Sequence, residues 1–143
     1  MPATGTEGVL LDTCALIWTA TAGPMLAPAQ DAVRAASARS AVFVSVVSAW
    51  ETACLARRGG RAPRFLPDPK AWFAAVLQGP GIRLAPFTPG IAIDSEHLPG
   101  LPHRAPADRA LTATARHLGM PLVTRNASIL TYAVEGHVAA MPC

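Results

Sequence analysis

The sequence predicts a parallel β-sheet flanked by α-helices within one domain. Strand-like and helix-like segments alternate along the 143 residues, which is the pattern of parallel strands joined by crossover helices. Hydrophobic residues make up 51% of the chain and charged residues 15%, a balance that favours a buried core and excludes intrinsic disorder. No repeat or linker divides the chain. We therefore expect a single domain over residues 1–143, with residues 1–7 as a flexible N-terminal tail.

The predicted strands are short runs of apolar and β-branched residues, too short for buried helices. In chain order they are Val9–Leu11, Ala41–Val44, Ile82–Ala85, Pro121–Thr124 and His137–Ala139.

The predicted helices carry apolar residues at helical spacing between residues that start and stop helices. Ser45 is a plausible N-cap, Thr88 another, and Pro106 suits a first helical position. Gly59 and Gly119 follow helical segments and end them. In chain order the helices are Ala15–Thr19, Ala27–Ala38, Val46–Arg58, Pro69–Leu77, Thr88–Ile93, Pro106–Leu118 and Ala127–Tyr132.

Composition limits the classes of function and the compartment. The net charge is +3, and Lys70 is the only lysine among the basic side chains. Arginine suits phosphate recognition, although a GC-rich coding bias would produce the same composition. Three cysteines without zinc-site spacing fit a reduced cytoplasmic protein, and no apolar run is long enough to cross a membrane. Glycine-rich nucleotide loops and a GxSxG nucleophile motif are absent from the sequence.

Three carboxylates occupy positions where an apolar residue is expected. Asp12 ends the run VLLD, Glu51 shares a helical stripe with Trp50, and Asp108 opens a helix whose apolar stripe continues through Leu111. A carboxylate on an apolar face is costly unless it is paired, hydrogen-bonded or bound to metal. Divalent cations are the usual reason for gathering such residues.

The predicted topology allows these acids to meet. In open parallel sheets, ligands bind beyond the carboxyl ends of the strands. Asp12, Ser45 and Asn126 each follow a predicted strand, while Glu51 and Asp108 lie on helices beside that edge. A Mg²⁺ or Mn²⁺ ion there would activate water for hydrolysis of a phosphodiester, without a side-chain nucleophile. Hydroxyls in the same region could orient waters or phosphate oxygens, namely those of Thr13, Ser45 and Thr124.

Each acid also has a structural interpretation. Asp12 could cap the turn into the following helix, and Asp108 could serve the dipole of its own helix. Glu51 could form a structural ion pair with Arg57, Arg58 or another arginine.

Other polar and aromatic residues carry weaker functional signals. Arg104, Arg109 and Arg125 could hold phosphates of a nucleic acid or be solvated surface charges. Asn126 could form a turn instead of binding an ion, and His103 suits a loop better than a general base. The tryptophans are expected in the core: Trp18, Trp50 and Trp72.

Three segments together resemble the PIN-domain ribonucleases and, within them, the VapC-like toxins of bacterial toxin–antitoxin pairs. The resemblance covers about residues 8–140. The segments are LLDTCALIW at 10–18, FVSVVSAWETACLARRGG at 43–60 and LPHRAPADRALTATARHLGMPLVTRN at 101–126.

The resemblance implies an α/β/α sandwich and an endoribonuclease dependent on Mg²⁺ or Mn²⁺. It assigns metal binding to Asp12, Glu51 and Asp108, and a fourth site position to Asn126. It also implies a cognate antitoxin that covers the site, and we expect a homodimer. Relatives often carry aspartate at the positions of Asn126 and Ala105. The alternative is therefore a weakened or inactive module that binds RNA or a protein.

Overall fold

The computed structural model describes residues 8–60, 63–100, 102 and 104–143. The predicted tail at residues 1–7 and His103 lie outside the described residues. The strands are β1 (Val9–Leu11), β2 (Val42–Val44), β3 (Ile82–Leu84), β4 (Leu122–Thr124) and β5 (Ala140–Pro142). The helices are α1 (Thr13–Thr21), α2 (Ala27–Ala38), α3 (Val46–Arg58), α4 (Pro69–Leu77), α5 (Pro89–Asp94), α6 (Pro106–Leu118) and α7 (Ala127–Val134).

The five strands form one sheet in the order β3-β2-β1-β4-β5, and every neighbouring pair is parallel. The prediction of a parallel sheet is confirmed. Strand β1 lies at the centre, between β2 and β4, and the strand order reverses beside it. The residues that directly follow β1 and β4 therefore meet at a switch point, where open α/β sheets bind ligands.

Two apolar clusters cover the two faces of the sheet. Leu10 of β1 packs into one cluster with Leu111 of α6 and Ile129 of α7. The side chains of Val9 and Leu11 point to the other face, where they pack with Leu16 of α1 and Phe73 of α4. Alternation along a strand explains the division, because successive side chains point to opposite faces. The fold is a three-layer α/β/α sandwich, as expected.

The helix boundaries follow the predicted capping residues closely. Ser45 caps α3, Thr88 caps α5, and Gly119 ends α6 in the left-handed region with φ 66°. Helix α1 starts at Thr13, two residues before the predicted start, because the Asp12 side chain accepts a hydrogen bond from Ala15 N. None of the described helices combines the length and the apolar character needed to cross a membrane.

The predicted last strand at His137–Ala139 was wrong, since β5 is Ala140–Pro142. Helix α7 continues to Val134, and a turn through Gly136 at φ 90° follows it. The backbone N–H of His137 then donates to Tyr132 O, 3.2 Å away. This helix-ending turn includes His137, the first residue assigned to the strand, and bonding to β4 begins at Ala139, whose carbonyl accepts the Leu122 N–H at 2.9 Å.

Candidate active site

A cavity of about 600 Å³ opens where the residues after β1 and β4 face α3 and the start of α6. Six residues singled out from the sequence lie in its wall: Asp12, Thr13, Glu51, Asp108, Arg125 and Asn126. The rest of the described wall is largely apolar. The structure thus brings together the three acids that lie far apart in the chain.

Asp12 is the most buried of the three acids, with 8% of its surface exposed. Its Oδ1 accepts the Ala15 N–H at 2.9 Å, and its Oδ2 accepts the hydroxyl hydrogen of Thr124. Burial raises the pKa of Asp12 above its ordinary value, and the nearby Asp108 charge adds to this rise, while these hydrogen bonds oppose it. The capping role is observed, and it fixes the carboxylate at the cavity wall.

Glu51 lies on α3, held by hydroxyl groups. Its Oε1 accepts a hydrogen bond from Thr13 Oγ1, which lies 3.0 Å from Ser48 Oγ. Burial raises the pKa of Glu51, and the charges of Asp108 and Asp12 add to the rise. Among the described residues no ion pair within 4.0 Å involves Glu51, so the predicted structural pairing with Arg57 or Arg58 is not found.

Asp108 lies in the first turn of α6 and is joined to Asn126. The Asn126 Nδ2 donates to Asp108 Oδ2 at 3.1 Å, while its Oδ1 accepts the N–H groups of Ser128 and Ile129 at 2.9 and 3.2 Å. Asn126 is therefore the N-cap of α7. Its carbonyl oxygen is used within the protein, and its amide orients one acid of the cavity.

Thr124 and Ser45 are buried next to the site and do not line its cavity. Both are fully buried, and neither side chain lies in the described cavity wall. Thr124 Oγ1 donates to Asp12 and accepts the Asn126 N–H at 3.0 Å. Ser45 Oγ accepts the Val47 N–H at 3.0 Å and caps α3. Their predicted supporting role takes the form of positioning the elements that carry the acids.

The three predicted phosphate contacts separate in the structure. Arg125 lines the cavity, and its guanidinium lies 4.8 Å from the centroid of the Trp18 ring. Arg109 instead pairs with Glu96 at 2.9 Å and donates to the carbonyl of Arg104 at 2.8 Å. Neither Arg104 nor Arg109 is in the described cavity wall. Their role in RNA binding stays a prediction.

The expectation that Trp50 belongs to the core was wrong, because 58% of its surface is exposed. Trp50 shares the cavity wall with Trp18 and Arg58. Neither of these two residues was predicted to lie at the site. Ser48 was also missed, although its position three residues before Glu51 on a helix was a usable signal.

The oxygen donors in this cavity fit a hard divalent cation. Asp12 and Glu51 are desolvated carboxylates that stay without a basic partner within 4.0 Å among the described residues. Among the described residues, no three His, Cys, Asp or Glu side chains come close enough to hold one ion together. Mg²⁺ requires fewer than three such side chains, since it keeps several waters and binds proteins through one or two carboxylates.

Comparison with known proteins agrees with this architecture. A model of the PIN domain family matches residues 9–135 of the chain. The chain belongs to the PIN domain family. No curated protein matches the sequence.

Two solved structures share the fold of this PIN domain. One is VapBC2 from Rickettsia felis, bound to a DNA fragment from its promoter, with 10% identity and a TM-score of 0.63. The other is DNA-bound VapBC from Salmonella typhimurium, with 17% identity and a TM-score of 0.64. In both comparisons 94% of this chain and 97% of the other are covered. At these identities the likeness concerns the fold.

Proposed function

We propose that this PIN domain is a Mg²⁺- or Mn²⁺-dependent endoribonuclease that acts as the toxin of a toxin–antitoxin pair. The observation that carries the proposal is the buried Asp12 carboxylate, fixed by Thr124 in the same cavity wall as Asp108 and Glu51. Buried acids without a basic partner are stabilised by a bound cation. The PIN family assignment supports nuclease chemistry at this site.

The residues divide the work of phosphodiester hydrolysis. Asp12 and Asp108 would hold the ion, which when bound supplies an activated water and neutralises phosphate charge. Glu51, on α3, is the third carboxylate of the site and would orient a water. Its own position is fixed by the hydrogen bond that Thr13 donates to it. Arg125 and Arg58 bring positive charge to the same wall and attract the RNA backbone.

The direct test is cleavage of RNA by purified protein with Mg²⁺, with Mn²⁺ and with EDTA. We expect metal-dependent cleavage by the wild type and none by Asp12→Ala. The exposed Asp94, outside the described cavity wall, provides the matched control Asp94→Ala, which should cleave normally. Equal cleavage by wild type and Asp12→Ala would reject the assignment.

Partners follow from the same proposal. The matched structures are VapBC assemblies, which supports a cognate antitoxin for this chain. We further propose a homodimer in the cytoplasm. Light scattering at micromolar protein would show twice the chain mass, and a monomeric mass would contradict the dimer.

A second candidate is a module that binds RNA or a protein without cleaving RNA. Two features favour it. Ala105 carries no carboxylate at a position where the family resemblance leads us to expect one, and the Asn126 carbonyl is used to cap α7. Calorimetric titration with Mn²⁺ separates the two candidates. A binding heat that disappears in Asp12→Ala supports the nuclease, whereas no binding at millimolar Mn²⁺ supports the module.

A further inference from the structure

Trp50 is exposed beside the acids, although tryptophan side chains are on average strongly buried. It precedes Glu51 in α3 and lines the same cavity. Trp18 and Trp72 are only half-buried, but both pack against an apolar cluster, and the rings of Trp72 and Phe65 form a T-shaped pair with centroids 4.9 Å apart. Trp50 makes no such ring contact with the described residues. An exposed indole in a concave site is typical of a surface that contacts a ligand.

The cavity is larger than a hydrated metal requires. Six waters at about 30 Å³ each occupy roughly 180 Å³, against a cavity of about 600 Å³. Much of the remaining wall is apolar, including Ile17, Leu55 and Leu111. A hydrated metal ion gains nothing from contact with apolar side chains, whereas the flat face of an aromatic group can pack against them.

One face of α3 lines the cavity with an aromatic, an acidic and a basic residue. Trp50 and Glu51 lie near the middle of α3, and Arg58 is its last residue, about two turns or 12 Å along the axis from Trp50. Arg125 adds a second cation to the wall. Aromatic rings interleaved with arginines beside a groove are the pattern that proteins use to bind single-stranded nucleic acid.

We propose that Trp50 stacks on a nucleobase next to the phosphate held at the acids, and that Arg58 contacts a neighbouring phosphate of the same strand. This inference rests on the proposed function. The base must be unpaired, because a base inside a duplex does not offer its face. Trp18 is the poorer platform, since the Arg125 guanidinium already lies over its ring at 4.8 Å.

The experiment compares variants with altered RNAs. Wild type, Trp50→Ala and Trp50→Phe bind a labelled single-stranded RNA of mixed sequence in Ca²⁺, because a phosphate next to the acids needs a cation that offsets their charge. Affinity is read by fluorescence anisotropy. A set of the same RNA, each lacking one base, is measured in parallel. Val46→Ala is the matched control, because Val46 is 42% exposed on the same helix outside the described cavity wall. Cleavage of the RNA is followed separately in Mn²⁺.

Stacking predicts that Trp50→Ala binds roughly 5- to 150-fold more weakly, with most affinity kept by Trp50→Phe and all of it by Val46→Ala. Removal of one particular base should weaken wild type by a similar factor and leave Trp50→Ala unchanged. Equal losses in both proteins, or full affinity of Trp50→Ala, would overturn the proposal.

The two readouts separate the two proposals. Absence of Mn²⁺-dependent cleavage with an intact stacking pattern rejects the nuclease and keeps the base subsite. Metal-dependent cleavage without the stacking pattern rejects the base subsite and keeps the nuclease.

Discussion

The position of Asn126 gives a quantitative test of how this site balances its charge. In Asn126→Asp the cap of α7 survives, because aspartate caps helices as well as asparagine. The Nδ2 donor to Asp108, 3.1 Å away, is replaced by an acceptor. A hydrogen bond to a charged group contributes about 1.5–3 kcal/mol when buried, and less here because both side chains are partly exposed.

Repulsion between the two carboxylates adds to the loss. Two unit charges 4 Å apart repel by about 1 kcal/mol in water and by about 4 kcal/mol at an effective dielectric constant of 20. Together with the lost donor, we expect the metal-free variant to be destabilised by about 2–4 kcal/mol. For a domain of this size the melting temperature should fall by roughly 6–12 °C.

A bound divalent cation should reverse much of this loss, since the added carboxylate strengthens the site for the ion. If affinity rises about tenfold, saturating Mn²⁺ stabilises the variant by about 1.4 kcal/mol more than it stabilises wild type. Thermal melts in EDTA and in Mn²⁺ measure both effects. Asn126→Ala is the control, because it loses the donor and the cap without gaining charge. Equal melting of Asn126→Asp and wild type in EDTA, or equal shifts with Mn²⁺, would refute the reasoning.

Three further predictions concern the same cavity. Ala105 is the N-cap of α6 without a side-chain hydrogen bond, so Ala105→Ser should stabilise the protein by about 1 kcal/mol in urea unfolding. Without metal, Ala105→Asp should gain less than Ala105→Ser, because its carboxylate adds negative charge to the cavity wall that already holds Asp108; no gain in Ala105→Ser would contradict the cap. Thr124→Val removes one buried and one partly buried hydrogen bond and should cost about 1–3 kcal/mol, whereas Thr124→Ser should recover most of it; an unchanged urea midpoint would argue against this pairing. Burial raises the pKa of Asp12 in the folded state, so the free energy of unfolding without metal should fall as pH rises from its ordinary pKa of 3.8 through the raised value. Asp12→Asn should reduce this fall and leave the part that Glu51 contributes, because the pKa of Glu51 is also raised; identical pH profiles of the two proteins would exclude a raised pKa of Asp12.

The fold was predictable because its signals are local. Apolar triplets, capping residues such as Ser45 and Thr88, and the glycine after α6 specify elements without knowledge of their neighbours. The prediction of the last strand was wrong because its position depends on tertiary contacts and not on local signals. The apolar residues after Gly136 resemble a strand, and only the tertiary setting shows that a turn against α7 uses the first of them.

The site was predictable in its acids but not in their partners. A carboxylate on an apolar stripe is visible in the sequence, and Asp12, Glu51 and Asp108 do share one cavity. The roles of Thr124 and Asn126 depend on contacts across as many as 112 positions of the chain. The exposure of Trp50 was equally hidden, because a tryptophan on an apolar stripe predicts burial until the packing of α3 is known.

The central place of β1 determines when this cavity can exist during synthesis. Strand β1 is made early, yet its partner β4 and the Thr124 hydroxyl that fixes Asp12 are made late. A chain that ends before β4 therefore lacks the Thr124 hydroxyl that fixes Asp12 and the Asn126 amide that joins Asp108. The cavity can take this form only after residues up to Asn126 have been joined.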